Sequence, residues 1–114
     1  MNADLVAHGR VMRIETRGRR SGEPRTATIG FVESADGSFL VAATPGSHWG
    51  ENLLADPVCR VTLGERTFEA VATPLAGADH AEAVRELILR YGTPSEGLGR
   101  GPSFRLMPAG EDRG

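Results

Sequence analysis

A chain of 114 residues, 39% hydrophobic and 25% charged, is long enough to bury one core and too short for two, and its composition excludes disordered and fibrous classes. The formal charge of −2 excludes a global pull toward nucleic acid or acidic membranes, so any anion-binding site must be local. All thirteen basic residues are arginines, and each presents a planar fork suited to phosphate or carboxylate.

Residues Val11 to Thr16 alternate Met12 and Ile14 with Arg13 and Glu15, the period-2 signature of a half-buried strand. A turn follows over Arg17 to Pro24. Thr26 to Val32 reads as a second strand, and Ala35-Asp36-Gly37-Ser38 as a hairpin turn into a third over Phe39 to Ala43. Thr44-Pro45-Gly46-Ser47 breaks the sheet. Trp49 to Ala55 has the apolar spacing of a short helix, with Ser47 as its expected cap, Trp49 as its anchor and Asp56-Pro57 as its end. Val58 to Leu63 and Arg66 to Leu75 flank Gly64-Glu65 as a hairpin. The long helix is expected over His80 to Tyr91, with Asp79 and Glu82 in capping-box spacing, His80 on its exposed first turn and Gly92 just past its end. Thr93 to Pro102 reads as an irregular loop and Ser103 to Met107 as a last strand. Hairpin connections exclude a doubly wound sheet. The expected fold is mainly β: a six-stranded antiparallel split barrel with one amphipathic helix and a short helix, one domain over residues 10–108 and a polar tail over 109–114.

Cys59 is the only cysteine, which excludes an intrachain disulfide and a cysteine zinc cluster and marks it as a small buried hydrophobe. His8, His48 and Cys59 are scattered, so no metal site is expected. No apolar run approaches the roughly 20 residues of a membrane span and no signal pattern is present; a cytoplasmic location is expected.

The densest chemistry lies in the first turn. Gly18 and Gly22 bracket Arg19, Arg20 and Ser21, and Arg25 opens the next strand. Glycines permit positive φ and close approach of backbone N–H groups, the hydroxyl adds a donor, and three guanidinium forks can converge on one anion. A solvated basic hairpin loop is the competing reading. Ser47-His48-Trp49 is a weaker candidate, because adjacent nucleophile and base point apart and no fixed acid accompanies them. Tyr91 fits a core position at its spacing.

Taken together, Ile14-Glu15-Thr16-Arg17-Gly18-Arg19-Arg20-Ser21-Gly22, Pro24-Arg25-Thr26, Val41-Ala42-Ala43, and Trp49 with Asn52-Leu53-Leu54-Ala55-Asp56-Pro57 resemble the deazaflavin-dependent nitroreductase family. Arg66-Thr67-Phe68-Glu69-Ala70 and Phe104-Arg105-Leu106-Met107-Pro108 extend the resemblance to nearly the whole chain. It implies reduced coenzyme F-420 as cofactor and hydride transfer to a small electron-poor acceptor such as a quinone or nitroaromatic. It also implies that Arg19, Arg20, Ser21, Gly22 and Arg25 hold the cofactor's anionic arm, that Ala43, Thr44 and Gly46 lie along the deazaflavin ring, and that Trp49 closes the pocket. No catalytic proton donor is assigned. Where many members carry Ser-Lys this chain has Ala43-Thr44, its loop up to Trp49 is shorter, and the acceptor-lining tyrosines reduce to Tyr91 at most. FMN is the alternative cofactor, since a ribityl phosphate would satisfy the same arginines. A non-catalytic barrel binding a small ligand or carrying a cofactor is the alternative outside enzymes. A homodimer is expected from the barrel's sparsely covered open side.

Overall fold

Alternation along the strands builds one curled sheet. In β1 (Met12–Arg17) Met12, Ile14 and Thr16 point inward, while Arg13 and Arg17 face out. The same pattern buries Cys59, Val61 and Leu63 of β5 (Val58–Leu63) and Phe68, Ala70 and Ala72 of β6 (Arg66–Pro74). With β2 (Pro24–Ile29), β3 (Val32–Glu33), β4 (Phe39–Ala42) and β7 (Ser103–Glu111) these form a seven-stranded sheet in the order β2-β1-β5-β6-β7-β4-β3. Every pairing is antiparallel. The structure, a computed structural model, describes residues 11–91 and 99–111. Gly92 and residues 93–98 of the expected loop lie outside them.

The sheet is the expected split barrel, with seven strands where six are expected. Thr26 to Val32 is not continuous: it breaks at Gly30-Phe31, and its two pieces lie at opposite edges of the sheet. The break is made from outside the segment. Tyr91 places its ring where Gly30 has no side chain, and a Cβ there would come within 2.8 Å of the ring. Its hydroxyl accepts a hydrogen bond from the Phe31 N–H at 2.9 Å and donates to the Phe31 carbonyl at 3.2 Å. Both backbone groups of Phe31 are thereby satisfied without a strand partner. The two free edges are consecutive in the chain, so covalent connectivity curls the sheet where a hydrogen-bonded ladder would close a full barrel.

Inside, Phe39 stacks on Phe68 with ring centroids 5.7 Å apart, and Phe31 meets Phe39 edge-on at 5.7 Å. Buried aromatics of this kind contribute roughly 1.5–3 kcal/mol each. The last strand runs to Glu111, four residues past Met107. Pro108 is tolerated because the register shifts at Glu69/Ala70, and because β4 pairs with β7 only as far as Leu106. The proline's missing N–H falls on an unpaired side.

Helix α1 (His48–Ala55) packs on β1 and β2. Leu53 and Asn52 are buried, and Trp49 leans on Phe104 with centroids 6.3 Å apart, which is the expected anchoring. Ser47 stands at the cap position with extended backbone but forms no side-chain cap. The first turn closes through the backbone instead, from the Glu51 N–H to the Ser47 carbonyl.

Helix α2 (Gly77–Tyr91) starts three residues before His80, because the chain leaving β6 turns through Gly77 at φ +60°. Asp79 and Glu82 therefore both sit within the helix, and the expected capping box does not form. Asp79, in the first turn, meets the positive end of the helix dipole. His80 is half-buried and not exposed on the first turn as expected. Its Nδ1 lies 2.6 Å from the Ser103 Oγ and its Nε2 lies 2.8 Å from the Gly99 carbonyl, which pins the helix start to β7. With the carbonyl able only to accept, Nε2 carries the proton and Nδ1 accepts from the serine.

Candidate anion-binding site

The turn between β1 and β2 is held from within. The Gly18 N–H donates to the Glu23 carbonyl at 2.8 Å, and the Gly22 N–H donates to the Gly18 carbonyl at 2.8 Å. Gly22 has φ +75°, a conformation that L side chains rarely adopt. A Cβ on Gly18 would come within 2.8 Å of the Ser21 Oγ and 3.1 Å of the Glu23 carbonyl, so the tight loop needs glycine there too. Arg17 braces the outside, donating to the Gly22 carbonyl at 3.2 Å and lying 3.9 Å from Asp56. The Ser21 oxygen accepts from the Glu23 N–H at 3.1 Å, which leaves its own O–H free to donate.

The turn borders a cleft of about 610 Å³ lined by Gly18, Arg19, Arg20, Ser21, Arg25 and Thr26 together with His48 and Asn52 of α1. Arg19 is fixed: its Nη1 donates to the Asn52 Oδ1 at 2.8 Å, and its backbone N–H reaches the same oxygen at 3.3 Å. Asn52 is 2% exposed and in turn donates from Nδ2 to the Thr16 Oγ1 at 3.1 Å. A neutral amide oxygen orients the guanidinium without neutralising it, so the cleft keeps its positive charge. Arg25 faces Glu23 at 4.0 Å, both side chains well exposed, a separation too wide for a strong pair. Arg20 and the N–H groups of Arg20 and Ser21 have no hydrogen-bond partner among the described residues. Two backbone donors, a hydroxyl and three guanidinium groups thus border one concavity, a donor set matched to phosphate or carboxylate oxygens.

Of the residues singled out in the sequence, Arg19, Arg20, Ser21 and Arg25 line the cleft. Gly22 shapes the turn beside it without lining it. Ala43, Thr44 and Gly46 lie in the segment that leads into α1 and do not line the cleft. Ala43 is buried, with its N–H donating to the Pro102 carbonyl at 2.8 Å, and Gly46 turns the chain at φ +78°. Trp49 is half-buried on the face of α1 toward Phe104. Tyr91 is committed to Phe31. Sequence reasoning missed Asn52 as a site residue, although a polar side chain beside Leu53 on the helix's apolar face is a signal for a buried hydrogen-bonding role. Burial pushes the Cys59 thiol up to about 12, so it stays protonated at neutral pH and is no nucleophile. Among the described residues no cluster of His, Cys, Asp and Glu could hold a metal ion, and no helix is long and apolar enough to cross a membrane.

The antiparallel sheet curled into a split barrel, with a cation-rich cleft beside its first hairpin turn, sets the class of fold. Solved structures share the fold. One described as an F420-H2 dependent reductase (FDR-A) superposes with a TM-score of 0.71 and 22% identity, covering 85% of this chain and 93% of that one. The Vibrio cholerae heme storage protein HutZ does so with a TM-score of 0.75 and 19% identity, covering 96% and 89%. The sequence goes further than the fold. Residues 4–94 match the F420H(2)-dependent quinone reductase family, and the chain belongs to it. An F420H(2)-dependent quinone reductase of Mycobacterium tuberculosis is 27% identical over 70 residues, which cover 58% of this chain and 47% of that protein. The chain thus spans about half the length of the curated relatives it matches.

Proposed function

We propose that this protein is an oxidoreductase that binds reduced coenzyme F-420 and delivers a hydride to a quinone-class acceptor. The observation that carries the reading is the cleft in which Asn52 holds Arg19 beside Arg20, Arg25 and the Ser21 hydroxyl. The coenzyme's phosphate and glutamyl carboxylates are anions of the kind such a donor set accepts. When bound, the coenzyme supplies the hydride chemistry, and the protein supplies anchoring, orientation and exclusion of water. Arg19, Arg20 and Arg25 would hold the anionic arm, the Ser21 O–H and the N–H groups of Arg20 and Ser21 would complete the phosphate contacts, and α1 would form the cleft's second wall. Ala43, Thr44, Gly46 and Trp49, at the N-terminal approach to α1, would border the ring.

Binding energy from the arm is remote from the reacting ring, so its loss should appear in cofactor affinity with turnover at saturation nearly preserved. A charge-assisted hydrogen bond contributes roughly 1.5–3 kcal/mol. Each of Arg19→Ala, Arg20→Ala and Arg25→Ala should therefore weaken F-420 binding about tenfold to a hundredfold. Fluorescence titration with F-420 and, separately, with FMN checks this, followed by quinone turnover. Equal affinity of wild type and all three variants would remove the anion-site assignment, and tighter binding of FMN than of F-420 would replace the cofactor. His48→Ala should leave turnover largely intact. A collapse in rate at an unchanged melting temperature would make the imidazole a proton donor.

A further inference from the structure

Both ring nitrogens of His80 go to one short stretch of chain. Nδ1 lies 2.6 Å from the Ser103 Oγ and Nε2 lies 2.8 Å from the Gly99 carbonyl, so the imidazole grips segment 99–103 at its two ends. The middle of that segment lies against the chain leaving β4. Gly101 has no room for a side chain: a Cβ would run into the Ala43 carbonyl oxygen and come within 2.7 Å of the Thr44 carbonyl carbon and 2.8 Å of the Pro45 nitrogen. The Pro102 carbonyl accepts from the Ala43 N–H at 2.8 Å, and Ser103 pairs with Ala42 across β4 and β7. From the other side α1 closes in through Gly50, where a Cβ would come within 2.7 Å of the Ala43 Cβ and 3.4 Å of the Pro102 Cγ. Ala43 is buried between these two walls, whereas Thr44, Pro45 and Gly46, which follow it, are exposed. The exposed turn therefore stands where its buried footing stands, and close packing passes any shift of one to the other.

We infer that His80 is a positioning residue for hydride transfer: by holding Gly99 and Ser103 it fixes the Gly101–Pro102 contact on which Ala43, Thr44 and Gly46 are seated. The inference rests on the reading in which those three residues border the coenzyme's ring. His80 is not among the residues lining the arginine cleft. It acts through the segment it grips. An imidazole suits the task because it presents one acceptor and one donor on a single rigid ring, and the two ends of the segment require one of each. Loosening the seat costs orientation, and a misplacement of about 1 Å can cost as much as a hundredfold in rate. Arg19, Arg20 and Arg25 continue to hold the anionic arm meanwhile. Loss of His80 should therefore leave the reverse signature to loss of an arginine: turnover falls and cofactor affinity stays.

The first readout uses the full chain without coenzyme. Amide hydrogen exchange followed by NMR should show the Ala43 N–H exchanging about tenfold or more faster in His80→Ala than in wild type, because two hydrogen bonds that hold its acceptor's segment are gone. The Gly18 N–H, bonded within the β1–β2 turn, should exchange as before. The second readout separates affinity from rate. In His80→Ala the F-420 dissociation constant should stay within about twofold of wild type, while quinone turnover at saturating F-420 falls about tenfold or more. His80→Gln keeps a donor for the Gly99 carbonyl and should recover most of that turnover. Ser103→Ala removes only the partner of Nδ1 and should fall between wild type and His80→Ala; it carries both readouts if His80→Ala does not fold. A role confined to stability would lower the melting temperature and leave the turnover of folded protein unchanged well below it, and that result overturns the inference. So does an Ala43 N–H whose exchange does not respond, or a loss of F-420 affinity as large as in the arginine variants. Failure of the cofactor reading looks different: wild type itself binds no F-420, and the exchange rate alone then decides whether His80 seats the segment.

Discussion

Two hairpin turns of this barrel bring serine together with arginine, one with Arg105 of β7 and one with arginines of its own, and they use them in opposite ways. In the turn between β3 and β4, Asp36 accepts hydrogen bonds from the Ser38 N–H at 2.9 Å and the Ser38 hydroxyl at 2.6 Å, and Arg105 donates to the Ser38 Oγ at 2.9 Å. Arg105 also lies 4.0 Å from the Asp36 carboxylate. Cation, hydroxyl and anion close on one another. In the turn between β1 and β2 the corresponding groups face a cleft: Arg19 is oriented by a neutral amide, Ser21 keeps its proton, and Arg20 is unpaired among the described residues. A turn whose charge is met by a neighbouring strand's cation is structural, whereas one that orients its own cations without neutralising them can receive an anion.

Removing the cations is the strongest way to break this contrast. A variant carrying Arg19→Ala, Arg20→Ala and Arg25→Ala should lose F-420 binding by about a thousandfold or more, the sum of three charge-assisted contacts. Its melting temperature should stay close to wild type, since these side chains are exposed. Added salt should weaken wild-type binding more than that of the variant, because screening acts on the charges that remain. Asn52→Ala should have the next largest effect, and here stability and affinity fall together. The Thr16 hydroxyl and the Arg19 N–H lose their shared partner, which costs roughly 1–3 kcal/mol for the buried group left unsatisfied. A freed Arg19 should weaken F-420 binding by about tenfold, read by the same titration beside a urea melt. If Asn52→Ala lowers stability and leaves affinity unchanged, the amide braces α1 and does not position the cation.

The basic turn was legible because all its determinants are local: two glycines and three arginines within eight positions announce a tight loop and its charge together. Its anchor was not, since Asn52 lies 33 positions from Arg19 and only folding shows which arginine the amide meets. Most strands were legible from alternation. The failure at Thr26 to Val32 has a specific cause: every residue there except Ala27 and Gly30 favours β structure, and the break is imposed by Tyr91, 60 positions downstream of Phe31. The same limit explains His80. Read alone, it is a polar residue in the first turn of an amphipathic helix, and the Ser103 that holds it belongs to a strand 23 positions downstream. The missing capping box is a boundary error, because turn chemistry at Gly77 begins the helix before Asp79 is reached.

The smallest expected effect lies in the self-satisfied turn and sharpens the contrast from the other side. Hydrogen bonds from Ser38, reinforced by the Arg105 guanidinium, hold the Asp36 carboxyl below its ordinary value of 3.8. A carboxylate whose folded pKa is depressed adds stability at pH above its unfolded value, and that contribution is lost as pH falls through the folded value. Wild type should therefore lose slightly more stability than Asp36→Asn on moving from neutral pH to below pH 3.8, with the two curves converging in acid. Because the group is solvent-exposed the gap should be small, visible as a shift in urea midpoint and not as a change in cooperativity. F-420 affinity should be the same in both proteins, since nothing in this turn borders the cleft. A change in affinity on Asp36→Asn would show that the two turns communicate through the sheet, and the separation of structural from receptive arginines would fail where it should hold best.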